Sequence, residues 1–400
     1  PTNKLLAVSV DRNFHIHILS DKGILVPGNG SLIYPGKLVT DRSYEPMSTK
    51  DIKAITTCDN QTVYLDNQQI FSNAWAGSLQ IDHQLPGAKI FAAGNDFHFL
   101  VSDGNRVNYL DKNSNIIWEG TFPGLIEIKF QKNKNQFILV SPNEIAEFSP
   151  SGPIQTLFKE SGITCAGAIA NSDKIAVGTT SGYFIFPDNT KISKVPCPEI
   201  TCINEIDGEL WLGSVNGAFK LNDDGKYSYY SGERWIPGNH VKDIQKGPEN
   251  SVIVLTEKGI GQIFFEETTL EEKALFFEKQ VREKNIRYGF NCSQSTLNPD
   301  YSTVTMNVQP SDNLWTGMYL ASQLFRYKVT GEPEAKENAF EAFEAMERLH
   351  TVTGIPGLFA RSFERDRKTE NTKTEGWQKR ELESGSPATL WLPATDHPNW

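Results

Sequence analysis

The sequence predicts a multidomain chain: an all-β propeller of about seven blades over residues 1–267, then the N-terminal part of an all-α (α/α) toroid over residues 268–400. Three observations predict it. Strand-like starts recur near Leu5, Ile52, Lys89, Ile126, Ile163, Thr201 and Val241, and after the first their spacing is that of a four-stranded blade, about 40 residues. Beyond Phe265 the apolar period changes from two to roughly 3.6. Residues 312–357 then read as two helices joined by a tight turn.

Within the first region the repeats superpose. ITCAGAIANSDKIAVGTTSGYFIF (163–186) and TCINEIDGELWLGSVNGAFKL (201–221) set Cys165 beside Cys202, Ile175 near Leu210, Gly178 with Gly213 and Gly182 with Gly217. The copy from Val241 keeps Val252, Val254, Gly259 and Gly261 in the same rhythm. Glycine at these places is expected to supply the positive φ of tight hairpins. No GxGxxG or GxxxxGK[ST] opens a helix here, so the glycines mark fold and not a phosphate cradle. Cys165 and Cys202 are expected to be buried as small apolar residues. His15 and His17 point to one face of a strand, too few for a metal site by themselves. The last repeat has room for two or three strands, so the N-terminal strand is expected to complete it.

The helical region opens with a capping box, Thr269 with Glu272, ahead of a half-exposed helix over about 270–286 carrying Leu275, Val281 and Ile286 among charges. A long Asn, Ser, Pro and Thr-rich loop follows. Asp312 is the expected N-cap of a helix over 313–329, Gly331 ends it, and Pro333 starts a partner helix over 333–352. The first helix of the pair carries two stripes: Leu314, Met318, Ala321 and Phe325 as an apolar face, and Trp315, Tyr319, Ser322 and Arg326 with polar tips. In the partner, Phe340, Phe343, Met346 and Leu349 are expected to form core. The Trp315/Tyr319 face is expected to line a concave pocket; a buried aromatic cluster with satisfied tips would give the same spacing.

Composition bounds the function. Thirty-nine basic against 49 acidic residues give a formal charge of −10, which argues against nucleic acid or a membrane surface as the main partner. No apolar run is long enough to span a bilayer, so no transmembrane segment is expected. The five cysteines, Cys58, Cys165, Cys197, Cys202 and Cys292, show no CxxC or Cys/His zinc spacing, so no metal site is assigned. The sequence leaves the cofactor requirement unknown.

GELWLGSVNGAFKL (208–221) resembles the repeat of ligand-binding propellers attached to bacterial two-component regulators. DNLWTGMYLASQLFRYKVTGEPEA (312–335), followed by TGIPGLFARSF (353–363), resembles the α/α-toroid domain behind propellers in Bacteroidetes polysaccharide-utilisation proteins. Its architecture is similar to that of polysaccharide lyase family 27, which removes the rhamnose cap from glucuronic acid on arabinogalactan. The resemblance implies a periplasmic, cell-surface or secreted lyase with an oligosaccharide or polysaccharide substrate. A closed toroid of six hairpins needs more chain than follows Thr269, so the expectation is its first two or three hairpins, and ATLWLPATDHPNW reads as an interruption in a loop.

β-Elimination at a uronic acid requires neutralising the carboxylate and placing a base beside C5. Arg361 and Asn313 are the candidates for the carboxylate, Tyr319 for the base, and Trp315 for the platform under the sugar ring, with Asp312 at the same helix entrance. Tyr301 and His397 are reserve bases. Two other classes fit the same residues: a glycoside hydrolase on an α/α toroid, with Asp312 as its acid, and a non-catalytic glycan-binding or sensor propeller braced by helices.

Overall fold

The computed structural model describes residues 3–28, 36–41, 51–75, 80–296, 304–307, 311–365, 378–380 and 389–393. The chain divides into two compact units, Pro1–Glu266 and Glu267–Trp400. Tyr301 and His397 lie outside the described residues.

The first unit is a seven-bladed β-propeller. Its inner strands are Leu5–Val10, Ala54–Cys58, Ile90–Ala93, Glu127–Gln131, Ile163–Ala168, Ile200–Ile206 and Val241–Lys246, close to the starts read from the repeats. Six blades are antiparallel four-stranded meanders, and the seventh has three strands among the described residues. Blades pack face to face, so each apolar cluster joins two neighbours. Val63, Leu65 and Ile70 of blade two meet Phe91, Phe99 and Val101 of blade three, and Leu5, Val8 and Ile18 of blade one meet Ile253 and Leu255 of blade seven.

A hydroxyl turn repeats around the ring. Ser20, Ser102, Ser141, Thr179, Ser214 and Thr256 end the second strands of six blades, and each donates to a carbonyl across the turn at 2.7–3.2 Å. Each also accepts a main-chain N–H from inside the turn. In blade two the Asp66 carboxylate accepts the N–H groups of Gln68 and Gln69 instead. The hairpins are therefore closed by side chains that compete well for local backbone donors.

Two expectations are corrected in this unit. The N-terminal strand is the innermost strand of blade one, which already has four strands of its own, so it does not complete blade seven. Positive φ explains Gly182 (136°) and Gly217 (106°), but not Gly178 and Gly213. A Cβ on either of these would lie 2.5 Å from the sulfur of Cys165 or Cys202. Those glycines make room for buried cysteines on the adjoining inner strands. Gly261 likewise yields to Pro237, whose Cδ would lie 3.3 Å from a Cβ there. Both cysteines are buried and free, and His17 Nδ1 sits 3.2 Å from Thr62 Oγ1 as an ordinary structural partner.

In the second unit, α1 spans Leu270–Lys284, α2 Asp312–Thr330 and α3 Pro333–Thr351. The Thr269/Glu272 capping box forms in both directions, Gly331 ends α2 at φ 73°, and Pro333 occupies the first turn of α3. Asp312 is not the N-cap. Ser311 holds that position without a side-chain cap bond, and Asp312 is the buried first residue of α2. Short sheets flank the helices: Ile286–Arg287 with Phe290–Asn291, Ser293–Thr296 with Val304–Asn307, and a three-stranded sheet in which Thr389–Pro393 lies between Ala360–Arg365 and Gln378–Arg380. Phe290, Cys292, Ala345, Leu349 and Ala360 form the small core.

The expected faces of the hairpin hold at Leu349, which is buried in the core, but not at the other large apolar residues of the two stripes. α2 buries Asp312, Thr316, Tyr319 and Gln323 and exposes Leu314, Met318 and Phe325. α3 buries Ala335, Ala339, Ala342 and Ala345, whereas Phe340 and Phe343 are 57% and 55% exposed. Alanine lets α2 and α3 approach closely, and the remaining space toward α1 is filled by hydrogen-bonded polar groups rather than phenyl rings. The described residues hold one helical hairpin with an added helix and do not close a toroid.

Candidate functional site

The polar centre of the helical unit is Glu278 of α1. Its Oε1 accepts from Tyr319 Oη at 2.6 Å and from Asn338 Nδ2 at 3.1 Å, and its Oε2 accepts from Gln323 Nε2 at 2.8 Å. Four turns of helix are tied together by one carboxylate. Arg326 reaches 3.9 Å from Glu278 and pairs with Glu332 and Glu334, the latter at 3.0 Å. Arg282, one turn along α1, pairs with Glu341 of α3 at 2.7 Å. No residue of α1 is fully buried, so charged and hydrogen-bonded contacts, more than apolar area, hold this helix to its neighbours. Burial pushes the Tyr319 phenol up, and its bond to Glu278 pushes it further.

The five residues singled out by sequence fall into separate surroundings. Tyr319 is 6% exposed and donates to Glu278, whereas Trp315, one turn earlier, is 46% exposed on the surface. The pocket-facing pair is thus split between interior and surface. Asp312 is buried against Cys292, whose Sγ lies 3.6 Å from Oδ2, and its carbonyl accepts from Thr316 Oγ1 at 2.5 Å. Asn313 is half-buried on the first turn of α2. Arg361 lies half-buried on the strand Ala360–Arg365, which packs alongside α2 and α3, and takes no part in the hydrogen bonds around Glu278. Glu278, Gln323, Asn338 and Arg282 were not legible as a cluster. The available signal was the spacing of four, three and four between Asp312, Thr316, Tyr319 and Gln323, a helical stripe made entirely of polar-tipped residues.

A second charged cluster lies on the propeller's inner strands. Lys129 Nζ sits 3.1 Å from Glu127 Oε1 and 3.5 Å from Asn204 Oδ1. Asn204 Nδ2 donates to Ile244 O at 2.5 Å and lies 3.4 Å from Asp243 Oδ1. Glu127 and Asp243 occupy matching positions in blades four and seven, and each accepts the main-chain N–H of the corresponding residue one blade on: Ala166 at 3.0 Å and Val8 at 3.4 Å. Burial pulls the Lys129 ammonium down, but Glu127 and Asp243 outweigh it and hold the group above the ordinary lysine range. Burial pushes the Asp243 carboxyl up against the opposing pull of Lys129.

Solved structures share the propeller. A streptogramin B lyase matches over 66% of this chain and 93% of its own, at 14% identity and TM-score 0.50. An extracellular domain from B. thetaiotaomicron, assigned to a hybrid two-component system, matches over 67% of this chain at 14% identity and TM-score 0.51. A second such domain from the same organism matches at 13% identity and TM-score 0.50. These likenesses establish the fold alone. The chain corresponds to 39% and 40% of the two B. thetaiotaomicron chains. No protein-family model and no curated protein matches the sequence. No helix among the described residues is long and apolar enough to cross a membrane, and no group of three or more His, Cys, Asp or Glu side chains among them is arranged to hold a metal ion.

Proposed function

We propose that this chain, a propeller with a helical hairpin, belongs to a carbohydrate-active enzyme: a secreted or periplasmic polysaccharide lyase that cleaves a glucuronic-acid-containing glycan by β-elimination. The observation that carries it is the hairpin Asp312–Thr351 behind a propeller, with the half-exposed Trp315 ring on its first turns beside Asn313. An indole at a helix entrance suits the apolar C–H face of a pyranose. Asn313 and Arg361 would neutralise the uronate, since charge-assisted hydrogen bonds stabilise the developing C5 carbanion through its carboxylate. Rhamnose-capped arabinogalactan is the substrate class implied by the resemblance of residues 312–363.

Tyr319 has a narrower role in this proposal than the free base expected from sequence. Its hydroxyl is committed to Glu278 and its ring is buried. It becomes a base only by passing its proton to Glu278, which lies within hydrogen-bond distance; otherwise it positions the helix turn that carries Trp315. The same commitment favours a second reading, in which the protein binds a glycan without turning it over.

The test is ultraviolet absorbance of the conjugated, unsaturated uronate product, followed with the full-length protein on rhamnose-capped arabinogalactan and other uronate glycans. Product formation lowered at least tenfold by Trp315→Ala and Arg361→Ala is expected. Oligosaccharide binding without unsaturated product on any uronate glycan favours the binding reading, and reducing-end release without absorbance favours a hydrolase.

A further inference from the structure

We propose that one end of the propeller's central channel holds a binding site for a small organic carboxylate, built by Lys242, His240 and Thr201. This inference concerns the first unit alone and does not rest on the lyase reading. The inner strands of blades five, six, seven and one share one irregularity. Their register with the second strand skips from Ile163 to Cys165, from Ile200 to Cys202, from Val241 to Asp243 and from Leu5 to Ala7. The bulged residues are Thr164, Thr201, Lys242 and Leu6, each the second residue of its strand. The inner strands of blades two, three and four pair without a skip. A bulge turns a side chain out of the ladder, and bulges are over-represented beside functional sites. Inner strands surround the channel, so four bulges in adjacent blades form an arc around one end of it.

The side chains of this arc are set for an anion. Other lysines of the same blades pair with carboxylates, Lys220 with Glu209 and Lys246 with Asp207, both at 2.6 Å. Lys242 instead has its Nζ 3.1 Å from His240 Nε2, and it makes no ion pair among the described residues. An ammonium only donates, so the imidazole accepts at Nε2 and carries its hydrogen on Nδ1. Glu257 Oε2 accepts the main-chain N–H of His240 at 2.8 Å, which anchors the turn into the strand. Thr201, at the matching position one blade earlier, is half-buried, and its Oγ1 is buried with no hydrogen-bond partner among the described residues. Leu6, 40% exposed at the matching position of blade one, adds an apolar flank. An ammonium, a hydroxyl and an imidazole that gains a second N–H on protonation suit a carboxylate through charge-assisted hydrogen bonds. Burial and then Lys242 hold the His240 imidazole below its ordinary range, against the pull of Glu257 and Glu199. A bound carboxylate favours the protonated ring, so binding takes up a proton and is tighter in acid.

The test is titration of the 400-residue chain with glucuronate, and with glucose as the neutral-ring control, by calorimetry and imidazole NMR between about pH 5 and about pH 8. Saturable glucuronate binding is expected, tighter at the lower pH, with the His240 titration midpoint raised on saturation and no saturable binding of glucose. Lys242→Met, which breaks no ion pair, is expected to weaken binding about tenfold, and Thr201→Val about threefold. His240→Gln should still bind but lose the pH dependence. Trp315→Ala and Arg361→Ala should leave this binding unchanged; its loss in either would place the glucuronate in the helical unit and overturn the proposal. It is equally overturned if millimolar glucuronate shows no saturable binding, if glucose binds as well, or if Lys242→Met binds as the parent does. No turnover is read, so these outcomes are separate from the fate of the lyase reading.

Discussion

Tyr319 of α2 donates its phenolic hydrogen to Glu278 of α1 at 2.6 Å, joining residues 41 positions apart, and Gln323 and Asn338 donate to the same carboxylate. Removing the acceptor strands donors on three residues that are each at most 6% exposed. Glu278→Ala is expected to destabilise the helical unit by about 2–4 kcal/mol, more than Tyr319→Phe at about 1 kcal/mol, because an unsatisfied buried group costs more than a lost bond contributes. Urea unfolding of the two variants, monitored by a helical signal, measures the difference. Equal costs would mean that the cluster is not organised on Glu278.

The same bond sets an alkaline limit. The folded Tyr319 phenol ionises above its ordinary value of 10.0, first through burial and then through Glu278. Between the unfolded and folded values the native state holds the extra proton, so this contribution is complete below pH 10 and lost as pH rises beyond it. A stability profile across the alkaline range should fall for the parent chain and fall less for Tyr319→Phe. Under the proposed lyase reading, a loss of turnover on the order of 10²-fold in Tyr319→Phe marks a proton-transfer role, and near-parent rates with lowered stability mark a positioning one.

In the propeller, Lys129→Met is expected to cost about 1–3 kcal/mol, since it leaves Glu127 and Asp243 without their shared cation in a partly desolvated setting. Asp243→Asn should cost less, because it also removes a carboxylate whose ionisation burial opposes. The sign follows from linkage: with a folded value raised above 3.8, Asp243 stabilises the protonated native state, and stability declines as pH rises through that window. The stability of the parent relative to Asp243→Asn should decline as pH rises from about 3 to about 7, whatever the opposite contributions of Asp103, Asp111 and Asp224 to both chains, as thermal unfolding measures. A larger loss for Asp243→Asn than for Lys129→Met would refute the assignment.

Gly178→Ala and Gly213→Ala are each expected to cost about 1–3 kcal/mol, the usual range for overpacking, because the added carbon meets a cysteine sulfur at 2.5 Å and Ile200 or Val241 beyond it. Cys165→Ala should relieve part of the Gly178→Ala cost and none of the Gly213→Ala cost. A double-mutant cycle by denaturant unfolding measures that coupling.

These residues also show what was legible in the sequence. The blades were, because Leu210, Gly213 and Gly217 recur as Ile175, Gly178 and Gly182 at fixed spacing, and repetition needs no knowledge of packing. The helix bounds were too, through Thr269, Gly331 and Pro333. The buried faces of the hairpin were not. Phe340 and Phe343 have the period of a core stripe, and only the alanines beside them, with Glu278 across the interface, turn that stripe outward. A lone Glu278 among the charges of α1 looks like any solvated glutamate until Tyr319, Gln323 and Asn338 converge on it. Lys129 and Asp243 escaped notice because a network across blades has no period along the chain.

Blade one owning all its strands has a kinetic consequence. Among the described residues no strand is shared between the two ends of the propeller, and the ring closes where Leu5, Val8 and Ile18 pack against Ile253 and Leu255. Every other blade boundary joins chain neighbours, whereas this one brings together Val8 and Asp243, separated by 235 residues. Confining a loop of that length costs about 5 kcal/mol of chain entropy, and none of it is recovered until the seam itself forms. Blades two to six can therefore condense early on local contacts, while closure between first and last blade comes late and limits the folding rate. Changes at Val8 or Ile253 should slow refolding less than they speed unfolding.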